Sequence, residues 1–277
     1  MLLCGLIGAG IQGSRSPALH QGEAAAQSLQ LVYKLIDLDV LGVGTDALPS
    51  LLRDAADQGY LGLNITYPCK QSVIPLLDGV TEEARAIGAV NTVVIADGKL
   101  TGHNTDGPGW SWGFRRALPQ ADLARVVLLG AGGAGSACAN AVLRLGAREL
   151  VIADRELERG LELAARMNGI HGPRCSGTAD IEQALAGASG LVHATPTGMA
   201  KLPGMPLPEK LLRRDLWVSE VVYVPIETEL LRSAKRAGCE VMDGGHMNVG
   251  QALGAFRLFT GRDADAARMD AHFRSLG

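Results

Sequence analysis

Two glycine-rich segments constrain the fold of this chain more than any other feature of its sequence. Both fit the pattern G-x-G-x-x-G, at residues 8–13 and 130–135, and both lie between a short apolar run and a helix-like stretch. Glycines at this spacing allow a tight turn from a strand into a helix, with backbone N–H groups exposed to an incoming phosphate. The sequence therefore predicts α/β sheets and at least one turn suited to a dinucleotide.

The second copy is the better candidate for the nucleotide loop. The helix that follows it opens with small residues at 136–139, and the strand at 126–129 is wholly apolar, which is typical of a buried parallel strand. The first copy is interrupted by Ser14-Arg-Ser-Pro17, where the first helical turn ought to pack. We therefore interpret the first copy as a glycine turn beside a substrate pocket. The predicted nucleotide loop consists of Gly130, Ala131, Gly132, Gly133, Ala134 and Gly135.

Acidic residues end the strand after each glycine loop, and the one that follows the second loop is Asp154. A carboxylate at this distance accepts hydrogen bonds from both hydroxyl groups of an adenosine ribose. Glu156 adds a second negative charge that repels a 2′-phosphate, whereas Arg155 and Arg159 offset part of that repulsion. The sequence therefore predicts that NAD is preferred, with NADP possible and less favoured.

Composition excludes several other classes of protein. A chain of 277 residues with 47% apolar and 20% charged residues is ordinary for a globular protein of one large or two medium domains. A net charge of -3 gives no electrostatic case for nucleic acid, and no apolar run reaches the roughly 18 residues that a membrane span needs. We therefore expect a small-molecule partner, no nucleic acid and no membrane, and either a monomer or a homodimer.

The five cysteines are scattered and show no CxxC spacing. This pattern argues against a disulfide framework and against structural zinc, so it favours a reducing, cytoplasmic setting and no metal site. Cys69 lies beside Lys70, where it is either a reactive thiol or a packing residue, and packing is the favoured interpretation.

Strand and helix signals alternate along both halves of the chain, and the pattern restarts after Pro119. A helix is predicted over residues 17–29, with Ser16 as its N-cap and Pro17 in its first turn. Asp97-Gly98 lies between two short strand signals and predicts a hairpin, which makes the first sheet mixed. The second half alternates regularly and predicts a parallel sheet. The fold class is therefore α/β, with two domains.

Seven motifs, taken in order, resemble those of the shikimate/quinate dehydrogenases over nearly the whole chain. They are Ser14-Arg-Ser-Pro17, Asn64-Ile-Thr-Tyr-Pro-Cys-Lys70, Asn91-Thr92, Asn104-Thr-Asp-Gly-Pro-Gly109, residues 130–135, Thr195-Pro-Thr-Gly-Met199 and Gly245-His-Met-Asn-Val-Gly-Gln251. The resemblance implies a mixed-sheet substrate-binding domain at residues 1–104 and a Rossmann NAD-binding domain at residues 105–244. It also implies that the helices of residues 245–277 pack back on the first domain.

The resemblance also implies a reaction and a role for individual residues. The reaction is the reversible NAD(P)-dependent oxidation of the shikimate ring hydroxyl to 3-dehydroshikimate, so the substrate is a small polyhydroxylated carboxylic acid. Ser14, Ser16 and Tyr223 are then expected near the substrate carboxylate. The implied ligands of the ring hydroxyls are Thr66, Asn91 and Gln251, the catalytic pair is Lys70 and Asp106, and the further cofactor contacts are Arg155, Thr195 and Gly245.

Some residues depart from the family's usual pattern, and alternatives to the proposed substrate and activity stay open. Asp154-Arg-Glu156 stands where many members have Asn-Arg-Thr, which resembles the NAD-using branches, and Glu220 stands where Asp is common. Quinate or an amino analogue of shikimate is an alternative substrate, although the small Ser16 favours shikimate slightly. A non-catalytic NAD-sensing protein on the same scaffold is a remote alternative, which the presence of both Lys70 and Asp106 disfavours.

Overall fold

The computed structural model describes residues 1–276 and separates into two compact units. The first unit contains residues 1–105 together with the chain from residue 249 onward, and the second contains residues 106–248. None of the helices within the described residues combines the length and hydropathy that crossing a lipid bilayer requires.

The first unit is built on a mixed six-stranded sheet with the strand order β2-β1-β3-β5-β6-β4. Its strands are β1 Leu2–Gly8, β2 Leu31–Asp37, β3 Gly62–Ile65, β4 Gly79–Val80, β5 Thr92–Ala96 and β6 Lys99–His103. β1 pairs in parallel with β2 and β3, whereas β5 is antiparallel to both β3 and β6. The turn between β5 and β6 has Asp97 at φ 50° and Gly98 at φ 72°, which confirms the predicted hairpin and the mixed sheet.

The helices of this part of the chain are α1 Ser16–Ala26, α2 Leu38–Leu41, α3 Leu48–Asp57, α4 Cys69–Ser72 and α5 Glu82–Ile87. The predicted N-cap of α1 was wrong by one residue, because Ser16 is already helical and Arg15 occupies the cap position without a capping side chain. The physical reason is a local turn in which the Ser14 hydroxyl accepts a hydrogen bond from the Ser16 N–H at 3.3 Å. Pro17 lies in the first turn, where its missing N–H costs nothing.

The second unit is a doubly wound parallel sheet with the strand order β12-β11-β10-β7-β8-β9. Its strands are β7 Arg125–Leu129, β8 Glu149–Ala153, β9 Cys175–Thr178, β10 Gly190–His193, β11 Trp217–Glu220 and β12 Val241–Met242. All of the strand pairs are parallel, as the alternating pattern predicted. The connecting helices are α6 Asp106–Ala117, α7 Gly133–Arg144, α8 Leu157–His171, α9 Ile181–Leu185 and α10 Glu229–Ala237.

Two C-terminal helices complete the described chain, α11 Gly244–Thr260 and α12 Ala266–Ser275. Each sheet is covered by an apolar cluster on each face, because neighbouring strand residues point in opposite directions. In β1, Leu6 packs in a cluster with Phe256 and Phe259 of α11, whereas Ile7 packs in the opposite cluster. The two sheets are therefore rigid supports for the loops that leave their carboxyl ends.

Candidate active site

The glycine loop at residues 130–135 lies at the point where the order of the second sheet reverses. β7 and β10 are neighbours at the centre of this sheet, and the chain leaves β7 toward β8 and β9 before it returns to β10. Loops that leave two such strands diverge and open a crevice at their carboxyl ends, where dinucleotides bind in sheets of this type. Gly130 directly follows β7, and Thr195 lies two residues beyond the end of β10.

The close packing of this loop requires glycine at two positions. A Cβ atom on Gly135 would overlap the carbonyl oxygen of Gly130, and Gly130 itself has φ +107°, which side chains rarely adopt. A Cβ atom on Gly130 would also lie 2.9 Å from the carbonyl oxygen of Ala194. Because α7 begins directly on the loop at Gly133, its N-terminal N–H groups and the positive end of its dipole suit a pyrophosphate.

The first glycine motif lacks these properties. A Cβ atom on Gly13 would meet nothing within 4 Å, and the helix that follows begins only at Ser16. The Asp37 carboxylate accepts hydrogen bonds from the N–H groups of Gly10 and Ile11 at 2.8 and 3.0 Å, so two donors of this turn are bound within the chain, against one, Ala131, in the second loop. Burial acts to raise the pKa of Asp37, but its hydrogen bonds outweigh burial and lower the pKa overall. These observations support the second copy as the nucleotide loop.

Asp154 is fixed at the end of β8 beside this loop. Its Oδ2 accepts a hydrogen bond from the Ala131 N–H at 2.8 Å, and its Oδ1 accepts one from the Glu156 N–H at 3.0 Å. Arg155 and Arg159 both lie near the exposed carboxylate of Glu156, with N–O distances of 3.7 and 3.6 Å. The position expected for the adenosine ribose therefore carries charges of both signs.

In the first unit, the first glycine turn lies against the segment that contains Thr66. A Cβ atom on Gly8 would meet the methyl group of Thr66, and the Ala9 N–H donates to the Tyr67 carbonyl at 2.9 Å. Ser14 follows this turn, and Ser16 is buried at the start of α1. The glycine turn that leads to Ser14 and Ser16 therefore packs against the segment of Thr66 and Tyr67.

Asn91 holds the chain just before Asp106, one of the two expected catalytic residues. Its Oδ1 accepts the Thr105 N–H at 2.7 Å, and its Nδ2 donates to the Thr105 hydroxyl at 2.9 Å. Asp106 is the next residue and the first of α6, with only 4% of its surface exposed. Asn91 therefore positions Thr105, the residue before Asp106. The sequence predicted a contact with a ring hydroxyl for Asn91 but not this second role.

A buried polar network that sequence reasoning missed underlies this region. The Tyr33 hydroxyl donates to Asn64 Oδ1 at 2.7 Å, and Asn64 Nδ2 donates to the Thr92 hydroxyl at 3.0 Å. Thr92 in turn lies 3.3 Å from the Thr105 hydroxyl. Because these partners come from different strands and loops, no local spacing indicates their contacts.

Lys70 is half-buried on the short helix α4, and Cys69 before it is fully buried. Burial raises the pKa of the Cys69 thiol to about 11, so the structure supports packing rather than reactivity for this residue.

Gln251 is on α11, one turn before Gly254, and a Cβ atom on Gly254 would lie 3.1 Å from the Thr105 methyl group. Residues three apart share a helix face, so Gln251 lies on the side of α11 that faces Thr105.

The remaining expected contacts are in the second unit. Tyr223 is in the loop after β11, and the Gly245 N–H at the start of α11 donates to Asp243 Oδ1 at 2.9 Å. Within residues 1–276, no group of three His, Cys, Asp or Glu side chains is arranged to hold a metal ion.

Two family models match this chain. The model described as the shikimate dehydrogenase substrate binding domain matches residues 6–93, and the model described as shikimate / quinate 5-dehydrogenase matches residues 114–199. The chain is 54% identical to the shikimate dehydrogenase (NADP(+)) of Streptomyces avermitilis, over 99% of this chain and 95% of that protein. It is 48% identical to the quinate/shikimate dehydrogenase (NAD(+)) of Corynebacterium glutamicum, over 99% of both chains.

The fold is also similar to that of solved structures. Quinate dehydrogenase from Corynebacterium glutamicum in complex with NAD superposes with a TM-score of 0.91 at 46% identity, over 99% of both chains. A glycine loop at the switch point of a doubly wound sheet suits a dinucleotide, and together with these relatives it identifies the chain as an NAD(P)-dependent oxidoreductase. Within that class, the chain belongs to the shikimate/quinate dehydrogenase family.

Proposed function

We propose that this protein catalyses the reversible oxidation of the shikimate ring hydroxyl to 3-dehydroshikimate, with NAD preferred over NADP. The observation that carries the proposal is the Gly130–Gly135 loop, which is shaped for a dinucleotide in a chain that also has the family's Lys70 and Asp106. The relatives that share 54% and 48% identity are named for shikimate and for quinate and shikimate, which supports this substrate class.

In this proposal the two parts of the chain divide the work. Residues 1–104, with the helices of residues 245–277, bind the substrate, and residues 105–244 bind the dinucleotide. The hydroxyl groups of Ser14 and Ser16 donate to the substrate carboxylate beside Tyr223. The ring hydroxyls are held by Thr66, Asn91 and Gln251. The dinucleotide is held by the glycine loop, Asp154, Arg155, Thr195 and Gly245.

Lys70 performs the proton transfer, and Asp106 binds the substrate. Bound NAD supplies the hydride acceptor for this reaction. In the oxidative direction Lys70 Nζ, in its neutral form, takes the proton of the substrate hydroxyl, and in the reductive direction its ammonium form donates that proton to the ketone oxygen. Asp106 accepts a hydrogen bond from a substrate hydroxyl.

The decisive experiment measures initial rates with shikimate and with quinate, each with NAD and with NADP. We expect turnover of shikimate with NAD, and a loss of kcat of about 10²- to 10⁴-fold in Lys70→Ala, the range for a general acid–base group. Lys99→Ala is the matched control, because Lys99 is an exposed lysine on β6. Full activity of Lys70→Ala would overturn the assignment of the base.

A second candidate substrate is quinate, which the similarity to quinate dehydrogenase at 46% identity favours. Quinate differs from shikimate by an added hydroxyl on the carboxylate-bearing carbon, so the space beside Ser14 and Ser16 decides between them. A higher kcat/KM for quinate than for shikimate in the same assay would move the specificity and leave the mechanism unchanged.

The preference for NAD rests on Asp154, whose carboxylate is fixed beside the loop by the Ala131 N–H. We expect Asp154→Asn to raise the KM for NAD about tenfold, because a hydrogen bond to a charged group contributes about 1.5–3 kcal/mol. Asp37→Asn is the matched control, since Asp37 occupies the same place after the other glycine motif. Asp37→Asn should leave the KM for NAD unchanged, and a wild-type preference for NADP would contradict the charge argument.

We also propose a reducing, cytoplasmic setting and either a monomeric or a homodimeric state. The scattered spacing of the five cysteines, with no CxxC pair, supports this setting.

A further inference from the structure

A buried chain of hydrogen bonds joins two loops at the carboxyl edge of the second sheet. His193 is the last residue of β10 and Glu220 the last of β11, and the two are paired in register. Both side chains have 0% exposure, and His193 Nδ1 lies 2.8 Å from Glu220 Oε1. The proton transfer proposed above uses neither side chain, so their burial at this edge needs another explanation.

Glu220 is surrounded by donors. Its Oε1 accepts hydrogen bonds from the Val221 and Val222 N–H groups at 2.8 and 3.0 Å, and its Oε2 accepts one from the Thr228 hydroxyl at 3.0 Å. A carboxylate can only accept, so the proton of the His193 ring that faces it is on Nδ1. In a neutral ring, Nε2 is then an acceptor on the opposite side.

Thr195 occupies that opposite side. Its hydroxyl lies 2.5 Å from His193 Nε2 and donates to it, and its oxygen accepts the Thr197 N–H at 3.3 Å. The methyl group of the same side chain packs against Gly130. A Cβ atom added to Gly130 would lie 2.9 Å from this methyl group. The hydrogen bond to His193 therefore selects the rotamer that places the Thr195 methyl group on the first glycine of the nucleotide loop.

We infer that His193 is a positioning residue for the dinucleotide: Glu220 holds its ring, and the ring fixes Thr195 and the segment 195–198 against the glycine loop. This inference rests on the proposed function, which places the dinucleotide at that loop. Because His193 is buried beneath Thr195 and acts through it, its loss weakens binding of the dinucleotide more than it slows turnover.

Two substitutions at His193 separate its two contacts. In His193→Asn, the amide nitrogen takes the place of Nδ1, so the contact with Glu220 is kept and the contact with Thr195 is lost. In His193→Gln, the amide reaches the place of Nε2, so the contact with Thr195 is kept and the one with Glu220 is lost. We expect His193→Asn to raise the dissociation constant of NAD about tenfold, measured by calorimetric titration, with kcat within about twofold of wild type. His193→Gln should lower the melting temperature and keep the NAD affinity within about twofold.

A double-mutant cycle with Thr195→Val tests whether His193 acts through Thr195. Valine keeps the methyl group and removes the hydroxyl, so His193→Asn should have no further effect on NAD affinity in the Thr195→Val background. The same loss of affinity in both backgrounds would overturn the positioning role, as would an unchanged affinity in His193→Asn alone. If His193→Asn fails to fold, His193→Leu is compared with His193→Gln, because both lose the contact with Glu220 and only His193→Leu also loses the contact with Thr195. Weaker NAD binding confined to His193→Leu supports the positioning role, and equal affinities of the two variants would overturn it.

His171→Ala is the matched control for a purely structural role. His171 Nε2 lies 2.8 Å from Asn140 Oδ1 and joins α8 to α7 away from the loop after β10. This variant should lower the melting temperature and leave the NAD affinity unchanged. Wild-type protein that bound neither NAD nor NADP would refute the proposed function itself, whereas normal wild-type binding with an unaffected His193→Asn variant would refute only the positioning role.

Discussion

His20 on α1 is a titratable side chain enclosed by aromatic rings in the core of the first unit. Its ring stacks on Tyr33 at 4.8 Å and lies 5.9 Å from Phe259, and its exposure is 0%. Neither ring nitrogen has a hydrogen-bond partner. Burial lowers the pKa of His20 from 6.5 to about 4, because a charged ring there loses its hydration.

This residue predicts a loss of stability in acid. Above pH 6.5 the ring is neutral in both states and contributes no pH dependence. As the pH falls from 6.5 to 4, His20 is protonated in the unfolded state but stays neutral in the folded state. The free energy of unfolding therefore drops by about 3 kcal/mol. His20→Phe should remove this component. Urea unfolding of both proteins between pH 8 and pH 4.5 should show a difference that grows in favour of the variant, and parallel pH profiles would contradict the prediction.

At the scale of the element, the two glycine motifs show how packing gives different meanings to the same pattern. Both follow a parallel strand, yet only the second leads directly into a helix, α7, that packs on its own loop. In the first motif the chain continues through Ser14 before α1 begins, and the Asp37 carboxylate occupies the turn instead. The motif predicts a glycine turn in both places, and the neighbouring side chains decide what that turn can bind.

Alanine substitutions at the third glycine of each motif test this difference. Gly135→Ala forces a methyl group against the Gly130 carbonyl, so we expect a loss of about 1–3 kcal/mol of stability and weaker NAD binding. Gly13→Ala places its methyl group in open space and should change stability by less than about 0.5 kcal/mol. Chemical unfolding and calorimetric titration check both effects, and equal losses in the two variants would show that packing does not distinguish the motifs.

At the scale of the whole molecule, an ion pair joins the two ends of the chain within the first unit. Arg268 on α12 donates to both carboxylate oxygens of Glu23 on α1, each at 2.7 Å, across 245 residues of sequence. Glu23 is 1% exposed, whereas the Arg268 side chain is 43% exposed. Burial acts to raise the pKa of Glu23, but its hydrogen bonds and the charge of Arg268 lower it overall.

Arg268→Ala tests how strongly this pair holds the C-terminal helix. Removal of the guanidinium leaves a buried carboxylate with fewer donors, so we expect a lower free energy of unfolding, with the loss limited by the partial exposure of Arg268. Arg257→Ala is the matched control, because the Arg257–Asp263 pair is 72% and 80% exposed and should contribute almost nothing. Denaturant midpoints of the two variants measure the difference, and equal midpoints would show that the pair does not stabilise the first unit.

Local sequence patterns were enough to predict the fold class and much of the order of its elements. Apolar runs and glycine turns report short-range preferences, so the hairpin at Asp97-Gly98 and the parallel second sheet could be predicted from local pattern. β9, at residues 175–178, could not, because an edge strand of four partly exposed residues has no periodic apolar pattern. The motifs around Lys70 and Asp106 likewise indicated the family without any knowledge of contacts.

The contacts between distant side chains depend on the tertiary structure. The links from Asn64 to Thr92 and from His193 to Glu220 span 28 and 27 residues, and they form because sheet order brings the strand ends together. Long-range packing also decided the state of the Cys69 thiol, since its burial depends on side chains from elsewhere in the core. Local preferences are encoded in neighbouring residues, whereas hydrogen-bond partners and burial depend on the whole fold, so the first could be predicted and the second had to be observed.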